Sequence, residues 1–167
     1  PRKTPVASFY ANILAFDGYY EKKWFPYTMP ISDIYGLRQA FDNIKNDPYM
    51  LERHAKIGNA VRAAVKEAGL ELYQETGFSN TVTVFNVPEG TTDTAILTAM
   101  KEKCNIMLAG SFGAFAGKVI RIGHMGENAY PEKVGAVMAG LDLVFKDLGI
   151  TLKCSLKEAY DRKMSEQ

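Results

Sequence analysis

The sequence predicts an α+β domain with a mostly antiparallel sheet and helices on one face, and three observations carry that reading. Segments with apolar residues at helical spacing alternate with segments of period two, in the order helix, strand, strand, helix, strand, strand, helix. Turn residues separate the strand-like segments from their neighbours: Gly69 before the first, "PEGTTD" after the second and a glycine-rich loop, 110–117, between the last two. With 167 residues, 47% hydrophobic and 23% charged, the chain has the composition of an ordinary globular domain able to bury a core.

Residues 1–30 are aromatic and irregular, with Phe9, Tyr10, Phe16, Tyr19, Tyr20, Trp24, Phe25 and Tyr27 crowded together. The run "SFYANILAFDGYYEKK" predicts a helix with Phe9, Ile13, Phe16 and Tyr20 on one face. So aromatic a segment is expected to pack on another domain or chain, and Pro26 and Pro30 to hold the next stretch of backbone extended.

Ser32 is a good N-cap for a helix marked by Ile34, Leu37, Phe41 and Ile44, which stops near Asp47-Pro48. A second helix places Met50, His54, Ile57, Val61, Val65 and Ala68 in register and ends at Gly69. "LELYQ" (70–74) and "NTVTVFNV" (80–87) read as strands, and "PEGTTD" as a turn into a helix burying Ile96, Leu97 and Met100. Strands near "NIML" and at "KVIRIG" bracket a glycine-rich loop, 110–117. The last strong helix starts at about Pro131 and carries Val134, Val137, Met138, Leu141, Phe145 and Leu148. A short polar helix fits the tail, "SLKEAYDRKMSEQ". The organisation expected is an arm, 1–30, a domain, 31–150, and a polar tail, 151–167.

Twenty basic and nineteen acidic residues leave a net charge of +1, which gives no electrostatic footprint for nucleic acid or an acidic membrane surface. No run approaches the roughly 18 apolar residues of a membrane span. Cys104 and Cys154 lack metal or redox spacing, so no zinc site or disulfide framework is indicated and a reducing, cytoplasmic setting is expected. The chain begins at Pro1, without the basic-then-apolar pattern of a signal peptide, which leaves processing or a longer parent open.

Arg121 poses the functional question. Alternation in "KVIRIG" puts Ile120 and Ile122 on one face and Val119 and Arg121 on the other, beside a turn containing Gly123 and Gly126. A guanidinium there is a planar, permanently charged fork suited to a carboxylate or phosphate. From spacing alone, a structural pair with an Asp or Glu is the stronger reading. His124 has no second ligand at metal spacing and reads as a polar contact in the turn rather than a proton carrier. His54, on an apolar helix face, reads as a hydrogen-bonded core histidine. Gly110, Gly113 and Gly117 match neither a dinucleotide fingerprint nor a P-loop, because a strand follows them. Thr28, between two prolines, presents a hydroxyl in a rigid segment, and no nucleophile–base pair stands out.

Four blocks in order, "WFPYTMPISDIYGLRQAFDNI", "ERHAKIGNAVRAAVKEAGLEL", "SNTVTVFNVPEG" and "GKVIRIGHMG", resemble the C-terminal part of the class V, pyridoxal-phosphate-dependent aminotransferases. The alanine–glyoxylate and serine–pyruvate or serine–glyoxylate subgroup is most similar, and the match runs from about residue 8 to 149. The resemblance implies the small domain of a fold-type I enzyme, preceded by an arm from the large domain that contacts cofactor across a homodimer. It implies that Arg121 binds the α-carboxylate of the amino-acid or keto-acid substrate and that Thr28 contacts the cofactor phosphate. Phe25 stands where some members carry a tyrosine on the cofactor side, so that hydroxyl contact is absent here, and Tyr27 is a weak substitute. The family's Schiff-base lysine and the aspartate that pairs with the pyridine nitrogen lie upstream of these blocks. Lys118 does not match that lysine.

The parent would then move an amino group between alanine, serine or a similar donor and glyoxylate or pyruvate, and the chain alone should be inactive. A free-standing carboxylate-binding module and a pure dimerisation domain are the alternatives.

Overall fold

The computed structural model describes residues 4–166, which fall into two units divided between Asp47 and Pro48. In the first unit a 3-10 turn, Ile13–Phe16, precedes α1 (Tyr19–Lys22) and α2 (Ile31–Lys45). The second contains α3 (Met50–Glu67), β1 (Val82–Asn86), α4 (Asp93–Cys104), β2 (Val119–Gly123), α5 (Pro131–Asp147) and α6 (Leu156–Ser165).

The continuous helix expected over 8–23 does not form. Asn12 caps the 3-10 turn by accepting from Leu14 N, and Gly18, at φ +65°, reverses the chain before a single helical turn that ends at Lys23, at φ +51°. The aromatics instead gather around Tyr27, whose hydroxyl donates to the Phe9 carbonyl at 2.9 Å. Its ring stacks on Tyr10 with centroids 5.3 Å apart and meets Phe9 and Phe16 edge-on. The segment between Trp24 and Pro30 bends at Pro26 and Tyr27 rather than running straight.

α2 begins one residue earlier than its expected cap. Pro30 precedes it and accepts from Ile34 N, so Ser32 lies inside the first turn instead of at the cap. Its apolar positions Ile34, Leu37, Phe41 and Ile44 are all exposed.

α3 follows its periodicity: Ile57, Val61 and Val65 are fully buried, and Gly69 adopts φ +85°. Gly69 N bonds to Lys66 O and Leu70 N to Val65 O, the paired bonds of a Schellman ending that only a left-handed residue permits cheaply.

β1 and β2 pair antiparallel, with Val84 opposite Arg121 and Phe85 opposite Ile120. The two outer strands expected at 70–74 and near "NIML" shrink to single bridges, Leu72 to Phe85 and Ala109 to Arg121. Each edge makes only two ladder bonds, Tyr73 N to Val84 O with Asn86 N to Glu71 O, and Ala109 with Arg121 in both directions, too few to extend a strand. The sheet is therefore a two-stranded core with bridged edges.

One sheet face, carrying Phe85, Ile120 and Ile122, is fully buried with Ile57, Ile96, Met138, Leu141 and Phe145 from the helices. Pro131 opens α5 at its first turn, as its missing N–H allows. The tail forms α6, which is amphipathic: Leu156, Ala159 and Tyr160 enter the same core. Asp142 on α5 caps α6 by accepting from Ser155 Oγ, Leu156 N and Lys157 N at 2.7, 2.7 and 3.0 Å. No helix among the described residues is long and apolar enough to cross a membrane.

Candidate functional site

β2 delivers Arg121 to the sheet face opposite the core, as its alternation predicts: Ile120 and Ile122 are fully buried, Arg121 only partly. The side chain is held rather than free. Its Nε donates to the Gly110 carbonyl at 2.6 Å, while its backbone N donates to Ala109 O at 2.7 Å. The glycine-rich loop thus supplies an acceptor for the arginine that follows it.

No carboxylate among the described residues forms an ion pair with Arg121. Its terminal nitrogens have no protein acceptor among those residues and are not sealed from solvent. With Nε fixed, the two-nitrogen edge is left to meet a planar anion. The structural ion pair that spacing favours is not the arrangement found.

Behind the strand end lies a polar cluster at which the sequence only hints. His124 is fully buried on the core face, in line with Ile120 and Ile122. Its Nδ1 lies 3.1 Å from Asn80 O and its Nε2 2.9 Å from Thr83 Oγ1. A carbonyl can only accept, so Nδ1 carries the proton and Nε2 accepts from the threonine hydroxyl. Burial pushes the His124 pKa down to about 4, which keeps the ring neutral.

His54 bonds from Nδ1 to Met50 O at 2.7 Å and accepts the Gly126 N–H on Nε2 at 3.2 Å. Both histidines are therefore hydrogen-bonded, His54 within its helix and across to the turn. Arg62, which no sequence pattern singles out, is mostly buried and forms no ion pair among the described residues. It donates to Ser79 O and Asn59 Oδ1 at 2.8 and 2.6 Å, and its guanidinium lies over Phe78. Desolvation lowers its pKa. Its position next to an apolar stripe residue, Val61, disguises it as a solvated charge.

Thr28 and Phe25 belong to the first unit. Thr28 is exposed, and its hydroxyl has no protein partner among the described residues, so it fits one hydrogen bond to a phosphate oxygen. Phe25 is half-buried, edge-on to Phe16, Tyr19 and Tyr27, and offers no polar atom. Tyr27 spends its hydroxyl on Phe9 O. Lys118 is exposed. Among the described residues no group of three or more His, Cys, Asp or Glu is placed to hold a metal ion, and Cys104 and Cys154 are free thiols.

No family model matches the chain. An uncharacterized aminotransferase of Methanocaldococcus jannaschii is 38% identical over 149 residues, covering 87% of this chain and 38% of that protein. The serine–glyoxylate aminotransferase of Arabidopsis thaliana is 36% identical over 130 residues, 75% of this chain and 32% of that protein. Among solved structures, the ureidoglycine–glyoxylate aminotransferase of Bacillus subtilis superposes with a TM-score of 0.88 at 26% identity, over 98% of this chain and 43% of its own. The pyridoxamine–pyruvate aminotransferase of Mesorhizobium loti gives 0.82 at 28% identity, over 92% and 41%. The chain spans less than half the length of each of these relatives. Over the length it spans, the chain belongs to the class V aminotransferases, fold-type I enzymes that depend on pyridoxal phosphate.

Proposed function

We propose that this chain is the C-terminal part of an aminotransferase that moves an amino group between a small amino acid, alanine or serine-like, and glyoxylate or pyruvate. Arg121 binds the α-carboxylate common to all these substrates. The observation that carries the reading is a guanidinium anchored through Nε to Gly110 O, with its outer edge unpaired among the described residues. One fixed fork can orient donor and acceptor alike, since both half-reactions use the same carboxylate. The activities of the relatives, serine–glyoxylate, ureidoglycine–glyoxylate and pyridoxamine–pyruvate transfer, fit an acceptor of this class.

Bound pyridoxal phosphate supplies the electron sink that lets the amino group leave one carbon for another. Thr28 holds its phosphate through one hydroxyl; Phe25 gives only shape and packing. None of the described lysines is buried, which suits a parent whose cofactor-anchoring lysine lies in another segment. The exposed aromatics Tyr10, Tyr20 and Trp24 and the exposed stripe of α2 suit an arm covered by a large domain and by the partner of a homodimer.

The test is inhibition of the full-length enzyme. Simple monocarboxylates should compete with both the amino donor and the keto acceptor, and their amides should not. Equal inhibition by amide and acid would exclude carboxylate recognition by a cationic fork.

A further inference from the structure

We propose that His54 and His124 are positioning residues of the Arg121 site: from α3 and from the end of β2, their rings pin the turn 123–126 and so fix the strand that carries the guanidinium. The inference rests on the carboxylate role proposed above for Arg121.

The two rings grip adjacent points of one turn. Gly126 starts a 3-10 turn at φ +54°, so its N–H has no partner within that turn. His54 supplies one, through the nitrogen left as an acceptor by the bond from Nδ1 to Met50 O. His124 is fastened three times to the segment entering β1: by its backbone N to Thr81 O at 2.9 Å, by Nδ1 to Asn80 O, and by Nε2 to Thr83 Oγ1. The Asn80 acceptor is itself steadied, because Arg62 donates to the neighbouring Ser79 carbonyl. Helix α3 therefore reaches the turn twice, directly through His54 and indirectly through Arg62.

Packing alone would not need these groups. A leucine at either position would fill a similar volume, but it would leave the Gly126 N–H, or the Asn80 carbonyl and Thr83 hydroxyl, without partners. Apolar contacts tolerate sliding, whereas the three directed ring bonds set a position. Arg121 lies three residues before His124 and two before Gly123, whose register partner is Val82. A displacement of about 1 Å at a substrate-orienting group is enough to cost roughly a hundredfold in rate.

The experiment uses the full-length enzyme loaded with pyridoxal phosphate, with His54→Leu, His54→Gln and Thr83→Val. Thr83→Val removes the hydroxyl that His124 accepts from and keeps the branched shape. His54→Leu and Thr83→Val should raise KM for both amino donor and keto acceptor roughly tenfold, with cofactor affinity unchanged. Glutamine keeps an acceptor near the position of Nε2, so His54→Gln should restore most of the lost KM. Amide exchange over residues 119–128 should quicken in the two damaging variants and not in His54→Gln. Lower melting temperatures with unchanged KM would show a merely structural role and overturn the proposal, as would a glutamine variant no better than leucine. A wild-type enzyme that transfers no amino group overturns the function itself, and with it the role given to these rings.

Discussion

The Nε of Arg121 donates to the carbonyl of Gly110 across 2.6 Å, so the loop before β2 holds the side chain that β2 presents. Glycine at 110 also leaves room beside that bond. A Cβ there would lie 3.2 Å from Asp93 Oδ2 and 3.4 Å from Leu97 Cδ1, tight against the start of α4. With glycine there, the loop lies against α4 without that contact.

Gly110→Val should therefore displace the acceptor. Overpacking of this kind costs about 1–3 kcal/mol of stability, and a shifted carbonyl releases the Arg121 side chain, so KM for both substrates should rise roughly tenfold in the full-length enzyme. Steady-state kinetics with each substrate varied separately checks it. A rise confined to one substrate would point to the side-chain pocket rather than to the carboxylate.

The α6 cap gives a test of stability alone. Asp142→Ala deletes the acceptor for two backbone N–H groups and for Ser155 Oγ. The loss should be about 2–3 kcal/mol in urea denaturation, with KM unaffected at temperatures well below unfolding.

His124 predicts how stability depends on pH. In the fold its pKa is depressed by burial to about 4; once unfolded it titrates near its ordinary 6.5. Between those values the unfolded chain binds more protons than the native one, so acidification favours unfolding. This contribution is complete above pH 6.5 and is lost as pH falls towards 4, by up to about 3 kcal/mol. Denaturation midpoints of wild type and His124→Gln should converge as pH drops through that window.

Helices α3 and α5 and the face assignment of Arg121 are legible in the sequence, because each follows a periodicity that burial enforces on many residues at once. Gly69 is readable for the same reason: a left-handed stop has few other candidates. The arm departs from its pattern: Phe9, Ile13, Phe16 and Tyr20 have helical spacing, yet Gly18 and the Tyr27 hydroxyl bond decide the local path. The outer strands are shorter than their alternation suggests, because alternation says nothing about how many ladder bonds a neighbour will supply. At the site, the residue type of Arg121 is visible in the sequence but its anchor is not. Gly110 acts through a backbone carbonyl, which no side-chain pattern encodes, and Arg62 looks like any helical cation. In the sequence the role proposed for Thr28 comes only from a resemblance, whereas alternation singles out Arg121 without choosing between a structural pair and a substrate carboxylate.

Thr28→Ala should weaken the cofactor and spare the substrate. Its hydroxyl has no protein partner among the described residues, so removal leaves no buried group stranded in the apo-enzyme. One phosphate hydrogen bond is worth about 1–2 kcal/mol, so the pyridoxal phosphate Kd should rise roughly 5- to 30-fold. Titration of apo-enzyme followed by visible absorbance measures it. Thr28→Ser should keep most of the affinity.

Arg121→Lys should do the reverse. Lysine keeps a positive charge but has no planar fork, and it cannot donate to Gly110 O and offer two parallel N–H groups to a carboxylate at once. It must either remain with the carbonyl or turn to the substrate. Losing one charged, desolvated contact costs on the order of 2–4 kcal/mol, so kcat/KM should fall roughly 30- to 1000-fold with either substrate. Cofactor affinity should stay at the wild-type value, since the arginine's proposed partner is the substrate. The two half-reaction rates, measured beside the cofactor Kd for each variant, separate the roles. If saturation by amino acid and keto acid is the same in Arg121→Lys as in wild type, the fork does not bind the carboxylate, and its bond to Gly110 is only a brace for the loop.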